Sequence, residues 1–321
     1  MNIKVKRFLK KIWALLLASF NSFTNDRGLK LSASLAYYTV FSLAPMLILI
    51  ISLTSFFYGK DAIEGQVFSQ LKAFVGDTAA AQIQEVIKNL QLSGKTNIAL
   101  IAGIVTLVVG ATGIFLEIQD SINIIWRVKA KPKRGWVKML KNRFLSFSLI
   151  ISLGFLLMVS LIINGIIVAL QTKLQYYFPD ITILVVNGLN ILVTFLVISF
   201  LFAIIFKFLP DVKISWKDVR TGAFFTAILF MIGRYAIGLY IESSGTTSVY
   251  GAAGSIIIIL LWIYYTSAIL YFGAEFTQVY AEQSGSRIEP ADYAIHIEQI
   301  ERKVDVDVLP PQNPQLKKDT K

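Results

Sequence analysis

The sequence predicts an all-α polytopic membrane protein with six transmembrane helices, an N-terminal interfacial helix and a small helical extracytoplasmic cap. The clearest indication is residues 255–273, nineteen positions without a charged side chain, since about 20 apolar residues span a hydrocarbon core of about 30 Å. The chain is 55% hydrophobic and 16% charged, whereas soluble domains carry about 25% charged residues. Lysine and arginine are also distributed unevenly between the loops, as is typical of membrane proteins.

The first predicted element is residues 1–24, which are basic and amphipathic. Apolar side chains recur there at helical spacing: Val5, Phe8, Leu9, Ile12, Trp13, Leu16, Phe20 and Phe23. A signal peptide would also combine a basic start with an apolar run, but the run at 12–18 is short and no clean small-x-small cleavage site follows it. We therefore expect an interfacial helix that lies on the anionic cytoplasmic leaflet.

A membrane domain is predicted over residues 25–281. Its six apolar runs are residues 31–58, 97–118, 144–170, 182–206, 221–241 and 255–274. The first run is longer than needed and contains Pro45, which frees a backbone carbonyl, so we expect it to tilt or kink. Residues 59–96 are more polar and predict the helical cap. Residues 282–321 lack periodicity and predict a disordered cytoplasmic tail.

The orientation follows from the lysine and arginine residues in alternate loops. One side of the membrane receives 25 of these residues and the other side receives five. The basic side comprises residues 1–31, 117–143, 207–220 and 275–321. We therefore expect both termini in the cytoplasm. This arrangement accounts for the net charge of +11 without nucleic acid, and the expected partners are the lipid bilayer and anionic lipids at the basic loops.

The composition also excludes several kinds of chemistry. The chain has no cysteine, and its single histidine, His296, lies in the polar tail. Disulfides and zinc sites of the usual His/Cys kind are therefore excluded, as are Ser-His and Cys-His nucleophile pairs. We expect no catalytic residue, no cofactor, no metal site and no enzymatic activity.

Four stretches resemble the YihY/BrkB family of bacterial inner-membrane proteins. They are residues 35–48 (LAYYTVFSLAPMLI), 110–126 (GATGIFLEIQDSINIIW), 209–240 (beginning LPDVKISWKDV) and 248–281 (beginning SVYGAAGSIIIILLWIYY). The resemblance implies six transmembrane helices with both ends in the cytoplasm. Members of the family carry the labels "virulence factor BrkB" and "ribonuclease BN", the second widely regarded as a misassignment. The family brings no settled substrate or catalytic residue, and transport is the role usually suspected.

Three carboxylates are candidates for a substrate or ion pathway. Glu117 and Asp120 are three residues apart and share a helical face at the inner end of the second span. Carboxylates at a membrane boundary can bind protons or cations, or they can face the basic loop and only fix the helix end. Glu275 closes the sixth span on the same side, so the three would converge at the inner mouth if the loops bring them together.

Arg234 is the only charged residue well inside a predicted span. It either snorkels outward or points into the bundle, where it would bind backbone carbonyls near Pro45 or an anionic group. Gly251 and Gly254 open the sixth span, either as a simple turn or as an unwound start of the kind that lines transporter sites. The sequence leaves both alternatives open.

Two classes of function remain. The first is a transporter or lipid-translocating protein of unknown substrate, and the alternative is a non-transporting membrane scaffold whose basic loops bind anionic lipid or a protein partner. Ribonuclease activity is disfavoured, because the sole histidine lies in the tail and the acidic pair at 117 and 120 lies at a membrane edge.

Overall fold

Long helices form most of the structure. The computed structural model describes residues 3–42, 81, 113–131, 179–244, 254–284 and 287–298. Its helices are α1 (Ile3–Asn25), α2 (28–42), α3 (113–125), α4 (Pro179–Phe208), α5 (Trp216–Ser244) and α6 (Gly254–Ser284). Four short strands accompany them: β1 (Val128–Ala130), β2 (Val212–Lys213), β3 (Glu289–Pro290) and β4 (Ala294–His296).

Three of the described helices are long and apolar enough to cross a membrane. These stretches are Val185–Phe208, Trp216–Tyr240 and Ile257–Ser284, and they match the predicted fourth, fifth and sixth spans. Several other predictions lie outside the described residues. They are the span at 144–170, most of the spans at 31–58 and 97–118, all of the cap at 59–96 except residue 81, and the positions of Pro45 and Gly251.

The last helix is longer than the sequence predicted. We expected the sixth span to end at residue 274, with Glu275 as its boundary, but α6 continues to Ser284. Its 31 residues correspond to roughly 46 Å at about 1.5 Å per residue, more than a hydrocarbon core requires. The additional turns are stabilised by packing, because Phe276 and Val279 are buried against Leu15 of α1.

Helices α5 and α6 cross at a pair of glycine–threonine contacts. A Cβ added to Gly222 of α5 would lie 1.9 Å from Oγ1 of Thr277 on α6, and one added to Gly273 of α6 would lie 2.0 Å from Oγ1 of Thr226 on α5. Each threonine hydroxyl donates to a carbonyl of its own helix, Thr226 to Gly222 and Thr277 to Gly273, both at 2.7 Å. Small residues allow close helix approach, which drives association where water is absent.

The connections between the helices gather at one end of the molecule. Strand β1 pairs with β4 and β2 pairs with β3, both antiparallel. We call this end, formed by residues 26–27, 126–131, 209–215 and 287–298, the loop end. It joins the four segments that the lysine and arginine count placed on one side of the membrane.

Part of the tail that we predicted to be disordered is ordered. Residues 287–298 run along the loop end, where Lys131 N–H donates to Tyr293 O at 2.8 Å and Ile297 N–H donates to Arg127 O at 2.8 Å. Residues 287–298 are polar and aperiodic, and contacts with other loops, including these backbone hydrogen bonds, keep them ordered. Residues 299–321 lie outside the described part of the chain.

The N-terminal segment is helical, as predicted, and packs on α6 through Leu15. Its remaining surface exposes large apolar side chains, namely Val5, Leu9, Ile12, Trp13, Leu17 and Phe20. The position of α1 at the membrane surface stays a prediction.

The crossing predicts a clear contrast between two glycine substitutions in α5. Gly222→Ala should destabilise the protein by about 1–3 kcal/mol, the usual effect of overpacking, because the new methyl group overlaps the Thr277 side chain. Gly238→Ala is the matched control, since no atom of the described residues lies within 4 Å of its added Cβ, and alanine is better than glycine in a helix by about 1 kcal/mol. Thermal unfolding in detergent measures both. Equal melting temperatures for the two variants would contradict the close crossing.

Candidate functional site

A buried carboxylate lies within the last membrane helix. Glu275 of α6 is 0% exposed, and neither of its oxygens receives a hydrogen bond from a donor within the described residues. An ionised carboxylate in such a position is very unfavourable unless another group compensates it. The surroundings of Glu275 therefore determine what it can do.

The charged groups next to Glu275 come from the loop end. Asp26, in the turn between α1 and α2, is within hydrogen-bonding range of Glu275, and Arg127, just after α3, interacts with it electrostatically. Arg127 Nη2 forms an ion pair with Asp26 Oδ1 at 2.5 Å, and the Asp26 side chain is only 3% exposed. We call Asp26, Arg127 and Glu275 the carboxylate cluster.

The backbone on both sides of this ion pair is unusual. Arg27 and Arg127 both adopt φ of 56°, a left-handed conformation that is uncommon for residues other than glycine. Each arginine is the second residue of a two-residue turn that follows a helix. The two turns hold Asp26 and Arg127 against each other and against α6. Strained conformations of this kind persist only where the surrounding contacts hold them.

A tryptophan fixes the distance between α3 and α6. The Trp126 indole Nε1 donates to the carbonyl of Ala274 at 3.0 Å, one residue before Glu275, and Trp126 itself is buried. Because Arg127 follows Trp126 directly, this bond places the guanidinium group beside the carboxylate.

Polar side chains continue along α6 away from the cluster. Tyr271 is fully buried one turn before Glu275, and its polar neighbours are Ser121 and Glu117 of α3. Ser267 is buried one turn further on and donates to the Ile263 carbonyl at 2.8 Å. Ser267, Tyr271 and Glu275 therefore form a row of buried polar side chains on one face of α6, which we call the polar track, and Tyr271 is the member that lies next to α3.

A second network is centred on Asp211, which follows α4 and is 1% exposed. Its carboxylate accepts hydrogen bonds from Gln119 at 3.1 Å, Asn123 at 2.9 Å and the Tyr293 hydroxyl at 2.9 Å. Its backbone N–H donates to Asn123 Oδ1 at 2.9 Å. Burial, reinforced by the charge and the hydrogen bond of Asp211, raises the pKa of Tyr293 to about 12. The phenol therefore keeps its proton, and its hydrogen bond, over the whole physiological range.

The carboxylate cluster can bind a cation or a proton. Two carboxylates and one guanidinium carry a net charge of −1 when all are ionised, and one proton or monovalent ion would neutralise it. Within the described segments no group of three or more His, Cys, Asp or Glu residues is placed to hold a metal ion.

The predicted site residues are only partly brought together. Glu275 lies in the carboxylate cluster and Glu117 lies near Tyr271, whereas Asp120 is exposed on α3. Arg234 is half-buried on α5, with its guanidinium carbon 5.5 Å from the centre of the Tyr235 ring. Gly254 is the first residue of α6 and is helical.

Sequence reasoning did not single out Asp26, Arg127 or Asp211. Asp26 and Arg127 were counted only as loop charges, because their significance depends on a contact between residues 101 positions apart. The buried Asp211 follows Pro210 in a segment that reads as an ordinary turn. The sequence signal that could have indicated such residues is an acidic residue within a basic segment.

Comparison with known sequences gives a consistent picture. The sequence profile of the family described as "Virulence factor BrkB" matches residues 19–295. Proteins called "UPF0761 membrane protein" are similar to the chain in Rhodospirillum centenum (28% identity, 83% of this chain and 57% of the relative) and Ralstonia nicotianae (29%, 76% and 54%). The relative in Tolumonas auensis is 27% identical over 80% of this chain and 82% of its own length. The chain thus spans a little over half the length of the first two relatives. No solved structure matches it.

The Asp211 network predicts how residues 287–298 can be released. Asp211→Ala should remove the carboxylate that accepts hydrogen bonds from the buried amides of Gln119 and Asn123. Each lost bond to a buried group costs about 1–3 kcal/mol. The substitution also removes the hydrogen bond that anchors Tyr293. We expect proteolytic cleavage within 287–298 to become at least about tenfold faster, since 1.4 kcal/mol corresponds to a factor of ten. Limited proteolysis of the purified protein measures this.

Asp292→Ala is the matched control for this experiment. Asp292 lies in the same segment and pairs with Lys213 at 2.5 Å, but its side chain is 87% exposed, and exposed ion pairs contribute little. Its removal should leave the cleavage rate unchanged. Equal rates for Asp211→Ala and Asp292→Ala would contradict the anchoring role of Asp211.

Proposed function

Because the chain belongs to the virulence factor BrkB family, we propose that it acts in the bacterial inner membrane as a transporter or lipid-translocating protein. The observation that carries this proposal is Glu275, a buried carboxylate without a hydrogen-bond partner among the described residues, within a helix that is long enough to span the membrane. Ionisable residues inside membrane segments are rare, and they typically mark substrate, ion or proton pathways.

The arrangement around Glu275 supports a role in transport over a structural role. A helix end can be fixed at no electrostatic cost by apolar packing, as Phe276 and Val279 already do against α1. The polar track from Tyr271 toward the carboxylate cluster follows the direction a solute or ion would take between α3 and α6. Arg234, half-buried on α5, is proposed as a further polar group of the pathway that binds an anionic part of the substrate.

The proposed orientation places the loop end in the cytoplasm. Support comes from the contacts that join residues of all four basic segments at that end. Lysine and arginine accumulate on the cytoplasmic side of inner-membrane proteins. Anionic lipids are the proposed partners of this face, and the proposal includes no enzymatic activity and no nucleic acid.

A membrane scaffold is the second candidate, and α1 favours it. This helix exposes Leu9, Ile12 and Trp13 together with basic side chains such as Lys6 and Lys10. A surface that combines apolar and basic groups binds anionic membranes. A scaffold would need this surface but would not need Glu275.

The two functions are separated by the effect of Glu275→Gln. The substitution preserves size and removes the ionisable carboxyl group, so a transporter that uses this group should lose most of its activity while the protein still folds and inserts. The measurement compares lipid and metabolite distribution across the inner membrane in cells without the gene and in cells complemented with each variant. We expect Glu275→Gln to resemble the deletion.

Glu282→Gln is the matched control, because Glu282 lies on the same helix but is exposed. It should restore the wild-type distribution. Full complementation by Glu275→Gln would defeat the transport proposal, and loss of complementation only when the basic residues of α1 are replaced would favour the scaffold.

The proposed topology is tested with reporter fusions. A reporter fused after Gln91, in the predicted cap, should be active outside the cytoplasm, and one fused after Lys321 should be active inside. Alkaline phosphatase and green fluorescent protein fusions at both positions give opposite readouts for the two compartments. Fusions that report the same side at both positions would show that the number of spans is not the predicted one.

A further inference from the structure

We propose that Glu275 and Asp26 form a proton-binding pair in which Glu275 holds the proton and donates it in a hydrogen bond to Asp26, while Arg127 balances the charge of Asp26. Only the role of this pair in transport rests on the proposed function, because the proton would then be the ion coupled at the same site.

Glu275 is fully buried. The side chain is 0% exposed and no hydrogen-bond donor within the described structure reaches either oxygen. An ionised carboxylate in this environment lacks both water and a donor, which strongly disfavours its charge. A neutral carboxylic acid needs only one acceptor for its O–H group, and Asp26 is within hydrogen-bonding range.

The two carboxylate oxygens of Asp26 have different roles. Its Oδ1 atom forms an ion pair with Arg127 Nη2 at 2.5 Å. The other carboxylate oxygen is then left as an acceptor for the proton on Glu275. Two carboxyl groups in contact share one proton when a positive group stabilises the single remaining charge.

The charged groups around Glu275 agree with this assignment. They are Asp26 from the turn after α1, Arg127 from the turn after α3, and Glu282 from α6 itself. With Glu275 neutral, Asp26 and Arg127 form a balanced pair. With Glu275 ionised, the cluster carries one uncompensated negative charge away from water, and Glu282 adds to the repulsion.

The guanidinium side of the carboxylate cluster faces water. Arg127 is 28% exposed at the loop end, so water reaches the cluster from that side. On the other side lies Tyr271, one turn along α6, with Ser121 and Glu117 as its polar neighbours. Binding is a simple equilibrium in which the Glu275 carboxylate takes up one proton from water and returns it, without any other reactant.

Infrared spectroscopy tests the proton directly. Purified full-length protein in lipid nanodiscs at neutral pH should show the carbonyl stretch of a protonated carboxylic acid, which shifts when H₂O is replaced by D₂O. We expect this band to disappear in Glu275→Gln and to persist in Glu282→Gln. Asp26→Asn should weaken or abolish the band, because Glu275 then becomes the carboxylate that balances the charge of Arg127 in the cluster.

Several results would overturn the proposal. A wild-type protein without a protonated carboxyl band at neutral pH would refute it without any variant, so the test holds even if Glu275→Gln fails to fold. A band that survives in folded Glu275→Gln would assign the proton elsewhere. Loss of the wild-type band when sodium chloride replaces choline chloride would show that the cluster is a metal-cation site.

The test is independent of transport. A protein that shows the Glu275 band but leaves every lipid and metabolite distribution unchanged would preserve the proton pair and defeat the proposed function. If Glu275→Gln abolishes function but the wild-type protein shows no such band, the proposed function would stand and the proton pair would be refuted.

Discussion

The buried carboxylate of Asp211 is the interaction on which the loop end depends. It accepts hydrogen bonds from Gln119 and Asn123 of α3 and from Tyr293 of the C-terminal segment, although Asp211 itself belongs to the connection between α4 and α5. Three parts of the chain that are distant in sequence thus meet at one side chain. A buried carboxylate supplied with several donors is a strong and directional anchor, and without it the strands β1 to β4 are too short to hold the loops together.

The helices are held by a different kind of contact. No hydrophobic effect operates between helices in lipid, so close packing and small residues must supply the attraction. The Gly222–Thr277 and Gly273–Thr226 contacts of α5 and α6 do this near the loop end, and the stacked rings of Phe195 and Phe224 join α4 to α5. The position of Glu275 follows from both, since α6 is fixed by this crossing and by the Trp126–Ala274 hydrogen bond.

The sequence allowed the helices to be predicted because hydropathy over about 20 residues is a local property. It also identified Glu275, since a charge next to an apolar run stands out. Asp26 and Arg127 were missed because their role arises from a contact across 101 positions. It also depends on turns in which the left-handed residue is arginine and not glycine. The extension of α6 to Ser284 and the order of residues 287–298 were missed for a related reason. Both depend on partners from other parts of the chain, namely Leu15 of α1 and the backbone of residues 127–131.

The reciprocal arrangement of Gly222 with Thr277 and of Gly273 with Thr226 has a mechanical consequence. Each threonine sits over a glycine of the opposite helix, and its hydroxyl is bound to its own helix, so neither side chain can turn aside without losing that bond. Sliding α5 along α6 by one turn would drive both threonines into larger neighbours at the same time. The crossing therefore resists sliding of α5 along α6, and the two helices form one rigid unit beside Glu275.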